Sequence, residues 1–124
     1  MPNRVPREAE EQVALFKWAA YAANTGKWPE LRLCYHVPNG GSRDVREARN
    51  LKAQGVKAGV PDICLPVPRG GYHGLYIELK RCKGGRVSEE QAVWIDRLNR
   101  LGYRAVICKG WEAARQEIES YLKL

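Results

Sequence analysis

Apolar positions at helical spacing open the chain. Val13, Phe16 and Ala20, joined by Leu15, Trp18 and Ala19, make one broad apolar face. Pro6 suits a first turn, and Glu8, Glu10 and Glu11 suit the positive end of a helix dipole. A helix is therefore expected over 6–23, stopped by Asn24-Thr25-Gly26. The period then changes. Residues 31–37 alternate loosely and read as a short strand. Pro38-Asn39-Gly40-Gly41-Ser42 reads as a turn, with Ser42 placed to cap a helix over 43–54 that Gly55 closes. Strands are expected over 60–65 and 75–80, an antiparallel pair joined by the turn at 69–74. Ser88 opens a helix to about Leu101, 103–108 forms the last main strand, and Trp111 to Leu124 a closing amphipathic helix. The order α-β-α-β-β-α-β-α is that of an α/β fold, a mixed sheet flanked by helices. With no repeat, low-complexity tract or long linker, residues 1–124 read as a single domain.

Composition narrows the class. A hydrophobic share of 44% and a charged share of 28% are those of an ordinary globular protein. No apolar run is long enough to cross a bilayer, and the start Met1-Pro2-Asn3-Arg4 carries no apolar signal segment. Cys34, Cys64, Cys82 and Cys108 form no CxxC pair, which argues against structural zinc and for buried free thiols in a reducing cytoplasm. With 21 Lys plus Arg against 14 Asp plus Glu, the net charge is +7. That excess favours a polyanionic partner, of which nucleic acid is the commonest, without deciding the matter.

The candidate chemistry lies in the paired strands. Period 2 puts Glu78 and Lys80 on one face and Ile77 and Leu79 on the other. Asp62 sits in the preceding strand after Gly59-Val60-Pro61, so pairing would bring it near Glu78. Two carboxylates so close repel unless a cation separates them, and Mg²⁺ typically takes one or two carboxylates with waters and substrate phosphate. Lys80 would then hold or polarise a water attacking phosphorus, and metal and lysine together would neutralise developing charge. On these residues alone a structural charge cluster is the equal rival.

The motif Gly59-Val60-Pro61-Asp62 followed by Glu78-Leu79-Lys80 resembles that of PD-(D/E)xK nucleases. Along nearly its whole length the chain resembles the VRR-NUC family, the virus-type replication-repair nuclease domain. The matching pieces are Glu8-Ala9-Glu10-Glu11-Gln12, His36-Val37-Pro38-Asn39-Gly40-Gly41, Gly59-Val60-Pro61-Asp62, Ile77-Glu78-Leu79-Lys80, Ser88-Glu89-Glu90-Gln91 and Leu98 to Gly102-Tyr103. The resemblance implies a restriction-endonuclease-like fold and phosphodiester hydrolysis with Mg²⁺, for which Mn²⁺ would substitute. Asp62, Glu78 and the main-chain carbonyl of Leu79 would hold the metal, and Lys80 would serve the attacking water. Glu8 is expected to be the family's helix-borne acid, since Glu8 and Gln12 match its E-x-x-x-Q pattern, with Glu11 as rival and Asn39 in support. Gln91 has two readings. With Ser88 it forms a capping box, whereas the family places this glutamine near the site as a catalytic group. One amide orientation is expected to serve only one of these.

Arg43, Arg46, Arg49 and Lys52 recur along the expected middle helix, and Lys57 follows. Arg81, Lys83 and Arg86 form a second basic group. Both sets suit contact with a phosphate backbone, against the alternative of solvated charge. No base-reading module appears, so structure-selective cutting is favoured over sequence-specific cutting. His36, the better placed of two histidines, and His73 read as structural rather than catalytic. Stand-alone relatives look like junction-resolving enzymes, so the expected substrate is branched DNA, including the Holliday junction, in phage or bacterial replication and repair. Symmetrical cutting would need a homodimer. The competing readings are a non-catalytic DNA-binding protein with the same fold and a nuclease of flaps or RNA.

Overall fold

The computed structural model describes residues 4–38 and 44–124. Eight principal elements follow the expected order: α1 (Glu8–Asn24), β1 (Tyr35–His36), α2 (Val45–Ala53), β2 (Ile63–Leu65), β3 (Leu75–Lys80), α3 (Glu89–Arg100), β4 (Arg104–Lys109) and α4 (Trp111–Leu122). Boundaries moved where local chemistry competed. The strand expected over 31–37 starts inside a 3₁₀ turn, Pro29–Leu33, with Pro in its first turn, and only two residues form β1. Helix α2 begins later than expected, because Asp44 caps it by accepting from the Arg46 amide at 2.9 Å. The proposed Ser42 cap, Asn39 and Arg43 lie outside the described residues.

The four strands stand in the order β1-β2-β3-β4. β1 and β2, and β2 and β3, pair antiparallel, with Ile63 opposite Ile77; β3 and β4 run parallel, joined by α3. Period 2 on β3 sends Leu75, Ile77 and Leu79 to one face of the sheet. There they join Ile63 and Leu65, with Leu15 and Ala19 of α1 and Ala114, Ile118 and Tyr121 of α4, in the main core. Each such fully buried aliphatic side chain contributes about 1.5–3 kcal/mol. The Tyr121 hydroxyl donates to the Val67 carbonyl at 2.6 Å, so this core tyrosine leaves no polar group unpaired.

Among the described residues, the helix that packs on the opposite face lies at its β4 side. Helix α3 packs on β4, where Asn99 both donates to the Ala105 carbonyl and accepts from the Ala105 amide, each at 2.9 Å. The even-numbered residues of β3, which are Tyr76, Glu78 and Lys80, point to this second face. Helix α2 has no buried residue and stands at the surface. All four cysteines are free: Cys64 and Cys108 are buried, Cys34 is half-buried, and Cys82 is exposed, against the expectation of burial. No described helix is long and apolar enough to cross a membrane.

Candidate active site

The structure brings Asp62, Glu78, Lys80 and Gln91 together on the half-open face. Asp62 comes one residue before β2, where the ladder to β3 has ended. Its carboxylate replaces the missing strand partner, with Oδ2 accepting from the Leu79 amide at 2.9 Å. A residue's N–H and C=O leave a strand on the same side. The Leu79 carbonyl therefore also points toward Asp62, the orientation expected of a main-chain ligand. The Asp62 carbonyl is itself held twice, by the Val37 amide at 2.7 Å and by His36 Nδ1 at 2.9 Å. A carbonyl only accepts, so Nδ1 carries the hydrogen, and β1 thus fixes the backbone from which the carboxylate projects.

Glu78 is buried, with only 1% of its surface exposed. Lys80 Nζ lies 3.5 Å from its Oε2, and Gln91 Nε2 donates to the same oxygen at 3.1 Å. The other oxygen, Oε1, is buried without any hydrogen-bond partner. Burial first, and the facing Asp62 carboxylate second, push the Glu78 carboxyl up to about 8, against the pull of Lys80. An orphaned acceptor beside a second carboxylate suits a hard cation, whose bonding would replace the missing partner and remove the repulsion. The donor set is thus oxygen from Asp62, Glu78 and the Leu79 carbonyl, which fits Mg²⁺ or Mn²⁺ and not a sulfur-preferring metal. Among the described residues no three His, Cys, Asp or Glu side chains converge as a preformed metal centre.

Gln91 corrects the expectation that one amide orientation serves one role. Its Oε1 accepts from the Ser88 amide at 2.9 Å, while the Ser88 hydroxyl accepts from the Gln91 amide at 3.1 Å, which completes the capping box. The same side chain gives Nε2 to Glu78. Carbonyl and amino groups point to opposite partners, so the cap aims the donor at the carboxylate. The close approach behind this depends on Gly59. It has φ +90°, and a Cβ there would meet the Glu90 backbone carbonyl carbon at 2.6 Å. Only glycine lets the loop before Asp62 rest on the first turn of α3.

The acids of α1 separate. Glu11 is buried, and its Oε1 accepts from the Trp111 amide at 3.1 Å, so it caps α4, whose own N-cap is Gly110. Glu10 is bound by Arg4 and Arg7. Glu8 is exposed and lines a cleft of about 260 Å³ with Ala9, Gln12, His36, Asp62 and Leu79. Geometry therefore favours Glu8 over Glu11 as the acid facing the site, and puts Gln12 beside it. The basic residues divide too. Lys52 and Lys57 line a groove of about 590 Å³ that Gln91 also lines, whereas Arg46 and Arg49 face a different concavity with Asp44. Arg81, Lys83 and Arg86 are exposed beyond β3, and Arg81 Nε donates to the Lys83 carbonyl at 2.7 Å.

The VRR-NUC domain model matches residues 8–112. The chain belongs to the VRR-NUC family. That membership makes it a nuclease of the PD-(D/E)xK type. A solved structure described as a VRR_NUC domain protein is 32% identical, covering 98% of this chain and 92% of that one, with a TM-score of 0.82. No curated protein matches. Two features of the site escaped the VRR-NUC motif reading. His36 sits in the matched string, but only the fold shows that its ring holds the Asp62 backbone and lines the cleft. Tyr76 shares the face of Glu78 at period 2, a signal present in the sequence but left unused.

Proposed function

We propose that the protein is a divalent-metal-dependent endodeoxyribonuclease that acts on branched duplexes as a homodimer in the cytoplasm of a bacterial or phage-infected cell. The observation that carries the hydrolytic part is the buried Glu78 carboxyl beside Asp62, with its Oε1 unpartnered and Lys80 and Gln91 on the other oxygen. Asp62, Glu78 and the Leu79 carbonyl would hold Mg²⁺ or Mn²⁺, with Glu8 entering from the facing wall of the cleft. The ion supplies Lewis-acid polarisation of phosphate and acidification of a bound water. Lys80, 95% buried beside Glu78, keeps a cation at the reacting phosphate and orients the water. Gln91 holds Glu78 in the rotamer that presents Oε1. Lys52 and Lys57 line a path along which a phosphate backbone would reach Gln91, with exposed Arg46, Arg49, Arg81, Lys83 and Arg86 adding sequence-independent attraction.

Branched DNA is supported by the family resemblance, and dimerisation by the one such site among the described residues, which symmetrical cutting would have to double. Labelled four-way junction, flap and linear duplex are incubated with the protein in Mg²⁺, Mn²⁺ or EDTA. The expected result is metal-dependent cleavage, greatest on the junction and lost in Lys80→Ala. Cleavage that survives Lys80→Ala, or none on any DNA, overturns the catalytic assignment. Equal rates on junction and linear duplex overturn the substrate preference alone.

A further inference from the structure

On the sheet face of the site the rings of His73, Tyr103 and Tyr76 meet edge-on, and Tyr35 stands one strand further, across Cys64 from Tyr76, one side-chain row away from the carboxylates. Tyr35 is paired with Cys64, and Cys64 with Tyr76, so the three side chains point to one face. The Tyr76 and Tyr103 rings meet edge-on at 5.4 Å, and Tyr103 meets His73 edge-on at 5.5 Å. Tyr35 is 49% exposed, His73 is exposed, and Tyr76 and Tyr103 are half-buried. On β3 Tyr76 precedes Glu78 by two residues, and on the neighbouring segment Cys64 follows Asp62 by two. The row therefore lies about 7 Å along the strands from the carboxylate pair. The phenols of Tyr35 and Tyr76 both engage the Cys64 thiol, a weak hydrogen-bond partner, whereas Tyr121 is tied to a backbone carbonyl.

We propose that this Tyr35–Tyr76–Tyr103–His73 row binds an unpaired base next to the phosphate held at Asp62 and Glu78. The inference rests on the nuclease reading, because it takes its register from a phosphate at that site. The nucleotide beside such a phosphate must place its base somewhere within one residue's reach. In a matched duplex that base is paired and turned away from the protein. At a branch point, flap or frayed end it is free to lie against the sheet. The row offers what an unpaired base needs: aromatic surface for stacking, and phenol and imidazole groups for its polar edge. It contains no aliphatic side chain, unlike a face built to receive an amphipathic helix, and no carboxylate to repel the strand. The chain's net charge of +7 suits the same polyanion.

Affinity is measured by fluorescence anisotropy in EDTA and in Ca²⁺. The probes are a labelled single strand, the same strand fully paired, and the same strand carrying a run of abasic sites. Phosphate charge is equal in the single strand and its abasic form, so their ratio reports on bases alone. Wild type is expected to prefer the strand with bases by roughly five-fold or more, the effect of one stacked base. Tyr35→Ala and Tyr103→Leu should lose that preference, while Tyr21→Ala, exposed on α1, should keep it. Tyr35 is exposed enough that its truncation leaves the fold intact, which guards against misreading an unfolded Tyr103→Leu. Equal binding of the abasic strand by wild type, or preference retained in both row variants, overturns the proposal. So does a Tyr35→Ala variant that splits a dimer in sedimentation velocity while keeping the preference, which would give the row to a second copy. Cleavage of a matched duplex in Mg²⁺, run beside these measurements, tests the nuclease reading separately.

Discussion

Glu78→Gln should make the metal-free protein more stable at pH 9 and leave its stability almost unchanged at pH 5. Burial and Asp62 hold the Glu78 carboxyl at about 8, from an ordinary value of 4.5. Its folded pKa is raised, so the folded state binds the extra proton between these values and loses stability as pH climbs through them. At about 1.4 kcal/mol per unit the full shift corresponds to an upper limit of roughly 5 kcal/mol at pH 9. Glutamine recovers part of this. Its carbonyl can accept from Gln91 and Lys80, and its amino group can occupy the orphaned side and donate to Asp62. The attraction between Lys80 and Glu78 is lost, so a gain of about 1–3 kcal/mol is expected. At roughly 4 °C per kcal/mol for a chain of this size, the variant should melt about 4–12 °C higher at pH 9. At pH 5 wild-type Glu78 is already protonated in the folded state, and the two proteins should nearly coincide. Thermal melts by circular dichroism in EDTA at both pH values make the comparison. A difference independent of pH, or a variant less stable at pH 9, would refute the claim that Glu78 is an unsatisfied buried carboxyl.

Divalent metal should reverse the order. Mg²⁺ or Mn²⁺ should raise the melting temperature of wild type more at pH 8 than at pH 5.5, because Glu78 must shed its proton to bind, and should not raise that of Glu78→Gln; equal shifts at the two pH values would count against the site. Glu11→Ala should cost about 1–2 kcal/mol through the lost cap on α4 while keeping the metal response, and Glu8→Ala should do the opposite, both read from melts with and without metal. Gln91→Glu keeps an acceptor for the Ser88 amide but turns a second acceptor on Glu78, so cleavage should fall roughly 10- to 100-fold, with any loss of stability growing as pH rises. Lys52→Ala and Lys57→Ala should each weaken DNA binding uniformly across sequences and reduce the salt slope by about 1, measured by titration at several salt concentrations.

The legible part of the fold was the part governed by local pattern. Helical spacing from Val13 to Ala20, alternation in 75–80, and the Ser88 to Gln91 cap each announce their element through a period or a hydrogen-bond signature that a few neighbouring residues complete. The short strand at Tyr35–His36 was overestimated for the same reason, since Pro29 and the turn that follows win locally over alternation. Asp62, Glu78, Lys80 and Gln91 meet in the structure, and the sequence suggested them as a group only in light of the VRR-NUC motifs. Spacing alone could not tell a metal site from a charge cluster.

What the chain by itself determined is which residues could do the chemistry: their kinds, their order, and the faces on which a period of 2 or 3.6 would place them. What only tertiary structure decided is which of them meet. Glu8 and Glu11 stand three residues apart in one acidic turn, yet one lines the cleft and the other caps a helix a hundred positions away. Gln91 serves both its cap and Glu78, because the loop at Gly59 packs on the first turn of α3 and brings the two within reach. The side chains of Tyr35 and Tyr76, distant along the chain, come to one face through strand register, and Tyr103 joins them by meeting the Tyr76 ring. Periodicity is a property of neighbours along the chain, whereas the raised carboxyl of Glu78 and its unpaired oxygen follow from burial, which many distant residues enforce together.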